Sequence, residues 1–502
     1  MEGIRGQALA PLSRSDAERL LPQLAVGRHS LDRRVLRARC LKYVESFDVA
    51  WAELTALLEQ VKDPHLAARI AVDLVHLAYY LVRGEELKRL ERIAARHAAT
   101  DPLLLAEQRL GTSINKTAAN EVTEALRDAR WAEDALAAAG RGRGRDLVAT
   151  RVQRQLAHLL AHAGDYAGAA TAAEATARYA ARVGDPWEQA WATYTSGFVQ
   201  WYAGHNDRAV ADFAKAEEGL RSYGTSAWRY TLLCVARARM ERGETAAGDR
   251  LARQSATGAP EDLAHIALLR GEAEVAERIL VRAPKGFPAD EHFRDFVRGI
   301  VRARRGDPRG AVRLLDEVSK EFESRGMSHW AVGAAVHAAF AREALVRGGG
   351  TARAVQLLRD VAARGGEGFA YYLPDVASWL GRAAERDAVA RPVARAMKTR
   401  GDAALRRAKG DAGTAVAASA LDEATYHLRS IGLTWREIGV LHEIEKLQAD
   451  APVERTELAR RLALSPQTLR VHITRIRAKL DVGDRRGDAV LLEAALAPRS
   501  LT

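Results

Sequence analysis

The chain contains no Gly-Lys dipeptide, which excludes a Walker A phosphate loop. It has no His-Glu-x-x-His pattern, and no nucleophile–base constellation stands out, so no enzymatic role and no cofactor are expected. His158 and His162 stand four apart on one helix face, but no third ligand lies near them, so no metal site is expected. There are only two cysteines, Cys40 and Cys234, each inside an apolar helical stretch and far from the other. They read as buried thiols of a reducing compartment. No stretch approaches the roughly 18 apolar residues of a membrane span. The first 22 residues carry Arg5, Arg14, Asp16, Glu18 and Arg19 in place of an apolar region, so a cytoplasmic protein is expected. Aromatics are scarce at 6%, and Ala, Arg, Leu and Glu dominate, which favours helices over sheet.

What is present is length, apolar surface and positive charge. At 502 residues, 48% of them hydrophobic, the chain can fill more than one ordinary domain. The net charge is +11, and its placement matters more than its size. Between Arg460 and Arg486 eight Arg or Lys stand against Asp481 and Asp484, a local excess of six, more than half of the total. Gly140 to Gly144, Gly-Arg-Gly-Arg-Gly, follows no strand and reads as a flexible basic turn rather than a dinucleotide fingerprint.

A Gly-Asp or Gly-Glu turn recurs at Gly84, Gly164, Gly243, Gly271, Gly306 and Gly410, with variants at Gly204-His205 and Gly348-Gly349. Glycine supplies the positive φ that ends one helix, and the acid favours the start of the next. From Gly164 to Gly348 the spacing is that of a two-helix repeat, and the wider gaps on either side each hold room for an unmarked turn. The best-formed unit runs from Pro186 to Leu220, with Asp185 as N-cap, Pro186 in the first turn, Gly197 at a close helix crossing, and Ala209, Phe213 and Ala216 on the second helix. Gly299, Ala311 and Leu315 repeat the pattern around Gly306, and Ala169 repeats it after Gly164. These units resemble degenerate tetratricopeptide repeats, from about Val61 to Ile431.

The stretch from Ile431 to Leu496 differs. Thr434 caps a helix carrying Trp435, Ile438, Leu441 and Ile444, and a linker with Pro452 follows. A short helix from Thr456 to Leu462 meets Ser465-Pro466, an N-cap and first-turn pair that opens another. Two helices across a three- to four-residue turn, with Ala459 small at the crossing, form a helix-turn-helix pattern. On the second helix Leu469, Ile473, Ile476 and Leu480 share one stripe, which is expected to face a core. The opposite side presents Gln467, Val471, Thr474, Arg475 and Ala478, flanked by Arg470 and Arg477. An apolar valine among arginines suits a major groove, where Arg forks to guanine and a small apolar group meets a thymine methyl. Ser465, Thr468 and Lys479, with His472, flank this face within reach of phosphates.

Leu433-Thr434-Trp435-Arg436-Glu437, Leu464 to His472 and Ala478-Lys479-Leu480-Asp481-Val482 resemble the C-terminal helix-turn-helix of LuxR-type bacterial regulators. By that resemblance Arg470, Val471 and Thr474 occupy base-facing positions, and the closing helix Asp488 to Leu496 dimerises through Val490, Leu491 and Leu492. The longer connection containing Ala451-Pro452 also occurs in winged-helix regulators, and both subfamilies stay open. The architecture is similar to that of maltose-activator-like regulators without their ATPase. The alternative is one more repeat hairpin with a basic solvated face.

One repeat helix concentrates aromatics: Trp187, Trp191, Tyr194, Phe198, Trp201 and Tyr202 fall within sixteen residues and about 100° of arc. The stripe reads either as core or as groove lining. Repeat register puts Trp191, Tyr194, Phe198 and Trp201 in the concave groove, with Arg151, Arg154 and His158 from the preceding repeat and Tyr230 and Arg237 from the following one. Aromatics beside a basic pair suit a peptide carboxylate or an acidic apolar small molecule.

The expected protein is therefore all-α: a helical cap over 1–60, a tetratricopeptide-like α-solenoid over 61–430, and a helix-turn-helix domain over 431–502. The expected function is sequence-specific binding of double-stranded DNA as a homodimeric transcription regulator, gated by a peptide, small-molecule or protein effector. The competing reading is a protein-interaction scaffold with a basic C-terminal docking domain.

Overall fold

The computed structural model describes residues 2–24, 30–81, 83–98, 100–223, 226–255, 260–282, 288–411, 428, 433, 435–448, 454–462, 466–482 and 489–496. Among them there is no strand, and the chain is all-α. In order, the helices are α1 Glu2–Leu9, α2 Arg14–Leu24, α3 Leu31–Tyr43, α4 Phe47–Gln60, α5 Pro64–Leu81, α6 Leu87–Ala98, α7 Pro102–Ala118, α8 Val122–Ala138 and α9 Arg143–His162. Then come α10 Tyr166–Val183, α11 Pro186–Tyr202, α12 Asn206–Arg221, α13 Ser226–Glu241, α14 Thr245–Ser255, α15 Pro260–Leu269, α16 Ala273–Arg282, α17 Pro288–Arg304 and α18 Pro308–Ser324. The last are α19 Ser328–Leu345, α20 Thr351–Ala363, α21 Pro374–Ala384, α22 Arg391–Asp411, α23 Trp435–Gln448, α24 Arg455–Arg461, α25 Pro466–Leu480 and α26 Ala489–Leu496. No described helix is long and apolar enough to cross a membrane.

Consecutive helices pair as hairpins, and the turn chemistry explains where they reverse. Gly164, Gly204, Gly243, Gly271, Gly306 and Gly348 all have positive φ, as expected of glycines that end a helix at a turn. One expected turn differs: Gly84 opens a 3-10 turn, Gly84–Glu86. Gly410 and Asp411 are the last two residues of α22, and a turn after them lies outside the described residues. The unmarked reversal between α7 and α8 falls on Asn120, whose φ of 59° is the left-handed conformation that asparagine tolerates better than most residues. Asp185 caps α11 by accepting from the Trp187 and Glu188 amides, with Pro186 behind it. Close crossings use glycine as expected: a Cβ at Gly197 would stand 2.8 Å from Phe213 Cδ1, and one at Gly299 would stand 2.6 Å from Leu315 Cγ.

The chain forms two compact units. The first comprises Met1–Gly219, Ser319–Val332 and Asp360–Phe369. Its N-terminal core runs without a break from Ala8 to Leu90, so residues 1–60 share one core with the helices that follow them. Beneath that core lies a buried ionic network. Arg39 and Lys42 of α3 and Arg69 of α5 all reach Asp73, and Arg69 also holds Glu107 of α7. Burial penalises the charge on Asp73, yet the three cations hold its carboxyl well below the usual range.

The second unit comprises Leu220–Val318, Gly333–Arg359 and Ala370–Thr502. Within it, Arg237 of α13 pairs with Asp262 at 2.7 Å and donates to the Tyr371 hydroxyl at 3.1 Å. The C-terminal helices α23 to α26 carry their own core, in which Ile438, Leu441 and Ile444 meet Leu458, Ile473, Ile476, Leu480 and Leu491.

Candidate functional site

Helix α25 positions the C-terminal face. Leu469, Ile473, Ile476 and Leu480 recur every three or four residues and are all buried in the module core. That burial turns Gln467, Arg470, Val471, Thr474, Arg475 and Ala478 outward, and all six are exposed. Val471, 41% exposed, is an apolar side chain left in water between two arginines. Neither Arg470 nor Arg475 forms an ion pair with a described residue. Thr474 donates its hydroxyl hydrogen to the Arg470 carbonyl at 3.0 Å, which leaves the hydroxyl oxygen only as an acceptor. Ala459 is buried where α24 meets α25, as its size predicts. Ser465 lies outside the described residues, as does the side chain of Thr468. Arg477 is half-buried.

Two C-terminal expectations change. Lys479, half-buried, is engaged within the module: its ammonium lies 2.7 Å from Glu437 Oε2, a carboxylate only 1% exposed on α23. Its charge is thus paired with a buried carboxylate of the module itself. Leu491 and Leu492 are buried in the module core and Val490 packs against it, so these side chains hold α26 to its neighbours rather than facing a second copy. On so short a helix the core takes the bulky positions first.

The aromatic stripe of α11 is also corrected. Tyr194, Phe198 and Trp201 are buried, and Trp191 alone of the four is half-buried. Their place is interior because the chain fills the space beside them with its own residues. Phe198 packs on His158 and His162 of α9 with ring centroids 4.6 and 5.7 Å apart. Tyr202 stacks on His329 of α19 at 4.1 Å. Trp330, next to it, donates to His162 Nδ1 at 2.9 Å, and the Tyr166 hydroxyl meets His329 Nδ1 at 3.0 Å. Burial pushes His158 down to about 3 and His162 down to about 4, so both are neutral at neutral pH.

Arg151 and Arg154 are engaged as well. Glu188, which the sequence reading did not single out, takes Arg151 Nε at 2.9 Å and Arg154 Nη1 at 3.2 Å. Arg151 also donates to the Tyr43 hydroxyl at 3.0 Å and to the Leu12 carbonyl at 2.8 Å. The place foreseen for a ligand carboxylate is thus held by a carboxylate of the chain. Arg237 is buried in its pair with Asp262, whereas Tyr230 remains exposed. In the N-terminal unit the large exposed aromatics are others: Tyr79, Tyr80 and Trp131. Trp131 borders a cleft of about 680 Å³ with Thr123, Arg127, Arg130, Asp134 and Ser328. No periodicity distinguished these from buried aromatics, because exposure depends on which helices come to cover them. Both cysteines are buried thiols, and no group of metal-ligating side chains occurs among the described residues.

No protein-family model matches the chain, and no curated protein matches it. Among solved structures it is similar to a Rap protein complexed with competence and sporulation factor. The identity is 10% and the TM-score 0.40, over 75% of this chain and 99% of that one.

Proposed function

We propose that this chain is a cytoplasmic transcription regulator whose C-terminal four-helix module binds double-stranded DNA through the outer face of α25. The observation that carries this reading is the split of one helix into two chemistries. One side is fully spent on the module core, and the other leaves Arg470, Val471 and Arg475 in water around a half-satisfied threonine. A single exposed valine is ordinary on a protein surface, so the weight rests on its place beside two exposed arginines that form no ion pair with a described residue. A face read against base edges uses arginine for guanine and the valine for a thymine methyl. The excess of Arg and Lys in this stretch supplies the sequence-independent attraction to phosphates. The helical repeats then serve as the part that meets an effector or a partner, and dimerisation rests on surfaces other than Leu491 and Leu492.

The test is binding of the full chain to mixed genomic fragments across a salt series. Affinity should fall steeply with salt, and Arg470→Ala with Arg475→Ala should abolish enrichment of particular sequences. Enrichment that survives the double substitution would return α25 to a structural role.

A second reading has an observation of its own. Tyr79, Tyr80 and Trp131 stay exposed on the helical-repeat surface of the first unit, and aromatic residues are the favoured anchors of protein interfaces. They support a protein-interaction scaffold in which the C-terminal module is a docking domain. Loss of partner capture on Trp131→Ala with DNA binding absent would favour it.

A further inference from the structure

Within the second unit, one side chain of the repeats lies directly on the C-terminal module. Gly439 of α23 is buried, yet it stands on the opposite side of that helix from Leu441 and Ile444, which enter the module core. What covers Gly439 is the guanidinium of Arg229, from α13. A Cβ built on Gly439 would stand 2.7 Å from Arg229 Cζ and closer still to both terminal nitrogens. No side chain fits there while Arg229 stays in place. Arg229 is itself buried, so its planar head is packed against helix backbone rather than reaching into solvent. Two residues before Gly439 on the same helix, Glu437 holds Lys479 at the end of α25. The array helix α13 is therefore connected through α23 to the helix that carries the proposed DNA face.

We propose that Arg229 is a latch: seated on Gly439, it docks the C-terminal module onto α13 and fixes the orientation in which α25 meets DNA. The effect on DNA rests on the reading in the previous subsection; the docking itself does not. Because Arg470, Val471 and Arg475 remain exposed in the docked state, the latch acts by orientation and not by covering the face. Any change in the array that moves α13 would then be transmitted to α25 as a change in orientation. Two sites become coupled when a shared element has two arrangements that each ligand biases differently.

The test uses the full chain with Glu493→Cys on the exposed side of α26 carrying a fluorophore. It compares the parent with Gly439→Leu, Gly439→Ala and Arg229→Ala. Gly439→Ala is the mild variant: alanine favours helix, and the atoms it displaces are the far end of a flexible side chain. Anisotropy decay should show the parent module tumbling with the whole chain and the variants gaining a nanosecond component. Affinity for a mixed-sequence duplex should change by roughly fivefold or more in the released variants. No fast component in either Gly439→Leu or Arg229→Ala overturns the latch. Release with unchanged duplex affinity overturns its control of DNA binding. If release occurs and neither parent nor variant binds duplex at low salt, the DNA-binding reading fails while the docking contact stands.

Discussion

Trp330 Nε1 donates a 2.9 Å hydrogen bond to His162 Nδ1 across 168 residues of sequence. The indole has only a donor to offer, so the imidazole nitrogen it meets must be unprotonated. Around this pair His158, His329, Phe198 and Tyr202 form a continuous cluster of rings. The start of α19 is thereby fastened to α9 and α11 by groups that function only when neutral.

That arrangement predicts an acid-labile first unit. Burial lowers His162 to about 4 from an ordinary value of 6.5, and His158 to about 3. Between the folded and unfolded values the unfolded chain binds protons that the folded chain excludes. The stabilisation is therefore complete above the unfolded value and is lost as pH falls through that window. Denaturant midpoints at about pH 7.5 and about pH 5 should differ, and His162→Gln, which keeps an acceptor that cannot titrate, should reduce the difference. Equal midpoints at the two pH values would refute the neutral-imidazole account.

Phe198→Ala and Trp191→Ala should separate on a melting curve. Phe198 is buried against two histidines and Tyr202, so truncation should cost about 3–5 kcal/mol. Trp191 is half-buried beneath Arg154, with its ring centroid 5.1 Å from the guanidinium carbon, and its loss should cost clearly less. A Phe198→Ala protein that melts with the parent would mean the stripe faces an open groove.

Lys479→Met should destabilise the C-terminal module by about 1–3 kcal/mol, because Glu437 stays buried after its ammonium partner is gone. Adding Glu437→Gln should recover much of that loss, since the buried charge is removed with its partner. The slope of DNA affinity against salt should stay unchanged in the double variant. A reduced slope would instead show Lys479 neutralising a phosphate.

Arg470→Ala should cost about 1–3 kcal/mol on a preferred sequence and relax the preference at one base pair. Binding to unrelated sequence should fall far less. A uniform loss across sequences, measured by competition on mixed duplexes, would assign Arg470 to the phosphate backbone.

By itself the sequence determined the helices, most of their reversals and the two faces of α25, because these depend on local spacing. Leu469, Ile473, Ile476 and Leu480 are buried since a 3.6-residue period leaves them no other common side. Gly197 and Gly299 mark close crossings since no other residue lets two helices approach so near. The fate of charged and aromatic side chains was settled elsewhere. Lys479 pairs with a buried carboxylate on another helix, and Arg151 and Arg154 are committed to Glu188, 37 and 34 residues away. The α11 stripe met protein because His158 and His162 of α9 and Phe213 of α12 lie against it, while His329 of α19 reaches Tyr202. Periodicity assigns a side chain to a face of its own helix, but only the packed tertiary structure supplies what stands opposite that face.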